Sequence, residues 1–257
     1  MVGCVGDDPA GRLLTTVLSA EGVDTAGLHV VRGVPSGTAL ITVARDGANG
    51  RLRPGDVEAA SSLTPTVAAV LAQLEIPLNA VRAALTLAHA SGAIAVLNPA
   101  PATGSLPDQL LALADVVVPN ESEARALSGR PTPAGAAAWL LKHGCRSVIV
   151  TLGEQGALLA RQHEPIVEVA AFKVEAVDTT AAGDAFCGTL VASLSAGEDL
   201  LAAAQRASAA GALATTVMGA LPSLPTTAEV DRLLATYALK RSRTTLPRRS
   251  WRSRGKP

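Results

Sequence analysis

Short β-branched runs alternating with helical stretches constrain this chain more than any other feature of its sequence. Residues 93–97, 116–118, 148–151 and 157–160 read as strands, and 40–43 as a further one. The first helix opens at Asp8-Pro9, with Asp as N-cap and Pro at the first helical position. Helices are predicted over 79–90, 107–114, 133–142, 200–216 and 228–237. Asn120-Glu121-Ser122-Glu123 opens another, with cap and carboxylate at capping-box spacing. This alternation predicts βαβ units and an α/β fold, with a mainly parallel central sheet covered by helices on both faces. Two adjacent strands around Gly156 predict a hairpin at the sheet edge. Residues 44–65, rich in Gly, Asp, Arg and Pro, read as loop with one short helix.

At 257 residues the length suits one large domain, taken as 1–239, with a basic tail at 240–257. Nearly half the residues are apolar but only 2% are aromatic, so Ala, Val and Leu must build the core. The cysteines, Cys4, Cys145 and Cys187, are odd in number and far apart, with no C-x-x-C pair. That argues against a disulfide framework or thiolate zinc site and for a reducing, cytoplasmic setting. No apolar run reaches the ~18 residues of a membrane span, and the start lacks the pattern of a secretory signal. The net charge is zero, but eight Lys or Arg and no acid lie in 240–257, leaving residues 1–239 at −8. The tail could contact nucleic acid or membrane; its lack of apolar period favours a solvated extension, with neither as partner. His29, His89, His143 and His163 are dispersed and read as structural or solvated.

One stretch carries chemistry: Asp178-Thr179-Thr180-Ala181-Ala182-Gly183-Asp184-Ala185-Phe186-Cys187-Gly188. A strand is predicted to end near Val177, followed by a turn of small residues and an apolar helix to about Ser195. Small residues at a helix start leave backbone N–H groups bare, and with the helix dipole these make an anion site. Asp184 would sit beside it. Phosphoryl transfer to an alcohol needs that pairing, a hole for the phosphate and a base for the hydroxyl proton. An ordinary turn with an Asp near the helix start would look the same in isolation. Neither a G-x-x-x-x-G-K-[ST] nor a G-x-G occurs, so P-loop and dinucleotide readings have little support.

The 178–188 block resembles the C-terminal signature D-T-x-x-A-G-D-x-F-x-G of the ribokinase (PfkB-type carbohydrate kinase) family. Other blocks agree in order. Gly6-Asp7-Asp8-Pro9-Ala10-Gly11 is similar to the family's G-D-D-x-x-G, and Gln73-Leu74-Glu75-Ile76-Pro77 to Q-L-E-x-P. Asn98-Pro99-Ala100-Pro101-Ala102 is similar to N-P-A-P-A, and Pro119-Asn120-Glu121-Ser122-Glu123-Ala124 to P-N-E-x-E-A. Thr151-Leu152-Gly153-Glu154-Gln155-Gly156 is similar to T-L-G-x-x-G, and Gly219-Ala220-Leu221-Pro222-Ser223 to G-A-x-P-S.

The resemblance implies a Rossmann-like ribokinase fold and ATP-dependent phosphorylation of a sugar's primary hydroxyl, D-ribose before others. It implies that Asp184 is the base, with the amides of Ala182 and Gly183 as the anion hole. Glu75 and Asp178, with Asp184, would contact the sugar. Asn120 and Glu123 would orient phosphates and Mg²⁺, the Glu through water. Thr151, Leu152, Gly153, Glu154, Gln155 and Gly156 would lie along the nucleotide, with Gly183 and Asp184 at its phosphate end and Ser208 near the adenine. A potassium ion would be held by Asp178 and Ser223 and by the carbonyls of Thr180, Ala214, Val217 and Gly219. Family members pair through their lids, implying a homodimer. Read by themselves, Asn120 and Glu123 could be only a capping box, and Gly153 and Gly156 only a hairpin turn.

Two departures from the family pattern shape what is expected. An opening strand with a sugar-binding Asp and a G-G-K-G-x-N segment do not occur; the first matching block is Gly6-Asp7-Asp8. Asp46-Gly47-Ala48-Asn49 follows the 36–43 run directly, where the family inserts a partner strand. The expectation is an N-terminally shortened sugar site, an exposed sheet edge and a reduced lid. A kinase for another sugar or nucleoside, or a non-catalytic remnant that binds nucleotide, are the competing readings.

Overall fold

The computed structural model describes residues 1–34, 36, 48–60, 67–102 and 104–244. The lid run at 40–43 and residues 245–257 lie outside them. Two sheets form. Strands β1 (Val2–Gly6) and β2 (Gly27–Val31) make a parallel pair. The main sheet is ordered β3 (Ala69–Gln73), β4 (Ile94–Asn98), β5 (Val116–Val117), β6 (Ser147–Thr151), β7 (Ala157–Arg161), β8 (Val167–Val169). Its first four strands are parallel, and β7 and β8 fold back antiparallel, which gives the predicted hairpin. Strand neighbours in space are neighbours in sequence, as short crossovers require.

The central strands read as continuous apolar runs because both faces are covered. On one face Ala95, Leu97, Val117, Val148, Val150, Leu158 and Ala160 form a single core. It is completed by α3 (Leu78–Ser91), α4 (Asp108–Leu111), α5 (Glu121–Ser128) and α6 (Pro133–Lys142). On the other face Val96, Val116, Ile149, Ala157 and Leu159 meet α7 (Ala182–Ser195) and α8 (Leu200–Ala214). Helix α8 presents Ala203, Ala204 and Ala207, small enough to bring its axis close to α7. Helices α1 (Pro9–Ala20), α2 (Pro54–Ala60), α9 (Ala220–Ser223) and α10 (Thr227–Thr244) complete the fold.

Cap chemistry sets several helix starts. Asp8 accepts from the Gly11 amide at 2.7 Å and from the Ser36 amide and hydroxyl, each at 2.7 Å. Those bonds hold its carboxyl below the usual range. Gly11 cannot carry a side chain, since a Cβ there would stand 2.2 Å from the Gly6 carbonyl oxygen. Thr132 and Pro133 open α6 in the same way.

Some expectations need correction. No strand ends near Val177. The segment after β8 is irregular, and the Val177 and Asp178 amides instead donate to the Thr215 carbonyl at 2.7 and 3.1 Å. The helix predicted over 107–114 is a single turn, Asp108–Leu111. Helix α10 runs on to Thr244, five residues into the stretch read as a tail. Among the described residues strand β3 is the edge of the main sheet, with Leu71 38% exposed there. Among the described residues no helix is long and apolar enough to cross a membrane.

Candidate active site

In open α/β sheets, sites gather beyond the carboxyl ends of the parallel strands. Here four polar residues stand at consecutive ends: Gln73 on β3, Asn98 on β4, Asn120 just after β5 and Thr151 on β6. Asn120 and Thr151 form a lone parallel bridge that extends the β5–β6 pairing to this rim.

Helix α7 starts beside the rim. Its N-cap, Ala181, is left-handed (φ 61°) and offers no side-chain acceptor. Among the described residues, the amides of Gly183 and Asp184 have no hydrogen-bond acceptor. The Ala182 amide, expected in the anion hole, donates to the Thr179 carbonyl at 3.3 Å. The bare donors are therefore one residue further along than the sequence led us to expect. The Asp184 carboxylate is exposed and accepts from Gln73 Nε2 at 3.3 Å. Beneath it lies Cys187, whose thiol is pushed up to about 12, first by burial and then by the charges of Asp184 and Glu123.

Asn120 and Glu123 do form a complete capping box. Asn120 Oδ1 accepts from the Glu123 amide at 2.8 Å, and Glu123 Oε2 from the Asn120 amide at 2.9 Å. Capping and ligand contact are compatible, because the box leaves Asn120 Nδ2 and Glu123 Oε1 without partners among the described residues. Burial raises the Glu123 carboxyl, against the lowering effect of the Asn120 amide. Thr151 to Gly156 form the β6–β7 turn, with a 3-10 turn over Gly153–Gln155. Ser208 on α8 donates its hydroxyl to the Ala170 carbonyl at 3.0 Å. Glu75 is exposed in the turn between β3 and α3. A cleft of about 630 Å³ runs past Asn120, Thr151 and Gly153 but is lined on its far side by Arg125, Arg130 and Thr132. It adjoins the expected nucleotide strip without including Asp184.

Asp178 ties two loops together. Its Oδ1 accepts from the Thr180 amide (2.9 Å) and hydroxyl (2.6 Å), and its Oδ2 from the Gly219 amide at 2.9 Å. These bonds, the Thr180 hydroxyl foremost, hold its carboxyl at about 2, below the ordinary 3.8. A depressed carboxyl contributes stability above its unfolded value and loses it as pH falls through the folded one. Asp178→Asn should therefore melt below the wild type at neutral pH. The gap should close as pH falls from about 4 towards 2, as read by thermal melts across that range. The carbonyls of Thr180, Ala214 and Val217 accept no hydrogen bond among the described residues, and Gly219 is the N-cap of α9. Ser223 is buried and donates to the Ala220 carbonyl at 2.7 Å. These carbonyls lie in or beside the two segments that Asp178 joins.

Sequence reasoning missed Gln73 and Asn98, although both stand in motifs it quoted. The signal was available: each is the last residue of a parallel strand, where side chains face a ligand.

The sequence pattern of the pfkB family carbohydrate kinases matches residues 1–227. A Staphylococcus aureus ribokinase is 35% identical over 244 residues, covering 89% of this chain and 80% of the relative. The solved structure of Arabidopsis thaliana ribokinase with ribose and ATP superposes with a TM-score of 0.79 at 27% identity, covering 91% of this chain and 80% of that one. A candidate ribokinase II from Escherichia coli, solved with ATP and Mg²⁺, gives 0.77 at 27% identity over 91% and 82%.

Proposed function

The chain belongs to the pfkB family of carbohydrate kinases, and from that premise we propose that it transfers the γ-phosphoryl group of ATP to the primary hydroxyl of D-ribose, giving ribose 5-phosphate. The observation that carries this reading is the pairing of bare Gly183 and Asp184 amides with an exposed Asp184 carboxylate at one helix start. Asp184 takes the hydroxyl proton as the oxygen attacks the phosphorus. The amides and the α7 dipole face the charge that develops on the transferring group. Asn120 Nδ2 orients phosphate oxygens, and Glu123 Oε1 would help to hold Mg²⁺. When bound, Mg²⁺ neutralises phosphate charge. The strip from Thr151 to Gly156 lies along the nucleotide, with Ser208 towards the base. Asp178 and Glu75 face the sugar.

Asp178, Ser223 and the carbonyls of Thr180, Ala214, Val217 and Gly219 would hold a potassium ion, which would add positive charge beside the loop that leads into α7. The preference for ribose is supported by the ribokinase relatives and by the Q-L-E and N-P-A-P-A blocks.

ADP release should be measured with D-ribose, D-fructose and adenosine as acceptors, in potassium and in potassium-free, sodium-free buffer. The expected result is greatest turnover with ribose and a clear gain in potassium. Equal rates with and without potassium would remove the cation from the proposal, and a preference for adenosine or fructose would remove ribose.

A further inference from the structure

Gln73 and Asn98 are paired residues in the β3–β4 register, so their side chains meet at the strand ends. Asn98 Nδ2 donates to the Val118 carbonyl at 2.7 Å. Gln73 Nε2 donates to Asn98 Oδ1 at 3.0 Å and to Asp184 Oδ1 at 3.3 Å. The polarity of this chain is forced from one end. A backbone carbonyl only accepts, so Asn98 must turn its NH₂ to Val118 and its oxygen to Gln73. That oxygen only accepts, so Gln73 must turn its NH₂ inward, and its second N–H is left pointing at Asp184.

We propose that Gln73, oriented by Asn98 and the Val118 carbonyl, is a positioning residue that holds Asp184 Oδ1 and leaves Oδ2 to take the substrate proton. The relay rests on the reading of Asp184 as the base. It gives that exposed carboxylate a fixed rotamer before substrate arrives, and rate falls steeply when a reacting group is misplaced. No atom of Gln73 takes part in the transfer. Its effect therefore belongs in the turnover number and not in ATP affinity.

The test compares wild type, Gln73→Met, Gln73→Glu and Asp184→Asn by steady-state ribose-dependent ADP release, with thermal melts to check folding. Methionine keeps the length but donates nothing; kcat should fall about tenfold with KM for ATP unchanged. Glutamate is closer in shape and can hydrogen-bond, so a purely structural role would make it the milder change. The relay predicts the reverse. Its carboxylate would face both Asn98 Oδ1 and Asp184, and kcat should fall about a further tenfold below the methionine variant. Glutamate equal to or milder than methionine, or a change confined to KM, would overturn the relay. If Asp184→Asn is inactive while both Gln73 variants turn over like wild type, the relay fails and the base stands. If Asp184→Asn turns over like wild type, the base reading fails and the relay falls with it.

Discussion

Replacing Asp184 with alanine should lower ribose-dependent ADP release by about 10²–10⁴-fold, the usual worth of a positioned general base. The loss should come without unfolding. Asp184 is exposed, and among the described residues its side chain makes one hydrogen bond, at 3.3 Å to Gln73. What it gives the helix is mainly a favourable charge at the positive end of α7, worth about 0.3–1 kcal/mol. Nucleotide binding should be retained, because the Gly183 and Asp184 amides, the Asn120–Glu123 box and the 151–156 turn are untouched. Rapid quench or steady-state ADP release on both forms, with calorimetry for ATP, separates the two effects. An unchanged rate would take Asp184 out of the mechanism. A loss of rate matched by a loss of ATP affinity would make it a binding residue.

The second large effect concerns Gly156, which closes the turn expected along the nucleotide. Its backbone lies at φ 89°, ψ −127°, a region costly for any residue with a side chain. A Cβ there would also stand 2.3 Å from the Val169 carbonyl oxygen and 2.8 Å from the Ala171 amide nitrogen. Both neighbours are backbone, so neither can swing aside. Strain and overpacking together should cost on the order of 3 kcal/mol in Gly156→Ala. For a domain of this size that lowers Tm by roughly 6–12 °C. Gly153→Ala is the internal control: its φ of 60° is also positive, but a Cβ there meets nothing within 4 Å. The alanine at 153 should cost only the backbone strain, about 1 kcal/mol. Equal melting shifts for the two variants would show that the approach of β8 does not decide the glycine.

Sequence was most legible where one local cause sets the structure. The runs of β4, β6 and β7 stand out because both faces are buried, and the cap residues Asp8 and Asn120 mark helix starts by their own chemistry. Strands β1, β2, β3 and β8 were not predicted. The first is Val-Gly-Cys-Val-Gly and the third Ala-Val-Leu-Ala-Gln, both poor in branched residues, and the last has three residues. For β1, β2 and β3 the strand state comes from pairing partners about 25 residues away, and for β8 from the adjacent β7. The segment before Asp178 shows the opposite failure. Its β-branched character suggested a strand, but its amides reach the end of α8 through the Thr215 carbonyl. At the site, Asp184 could be singled out from its motif, whereas the Ala182 amide could not be known to turn to Thr179. Gln73 was visible only as a letter in a motif, because its meeting with Asp184 depends on register and on the crossing of α7 over the sheet.

Phosphoryl transfer from ATP to a sugar hydroxyl at Asp184, as proposed, has a direct spectroscopic readout. Phosphorus NMR of the purified chain incubated with MgATP and D-ribose in potassium buffer tests it most directly. The γ-phosphate signal of ATP should be replaced by a ribose 5-phosphate signal, and Asp184→Ala should leave the ATP spectrum unchanged over the same time. Release of inorganic phosphate alone, or an equal yield of sugar phosphate from the alanine variant, would contradict it.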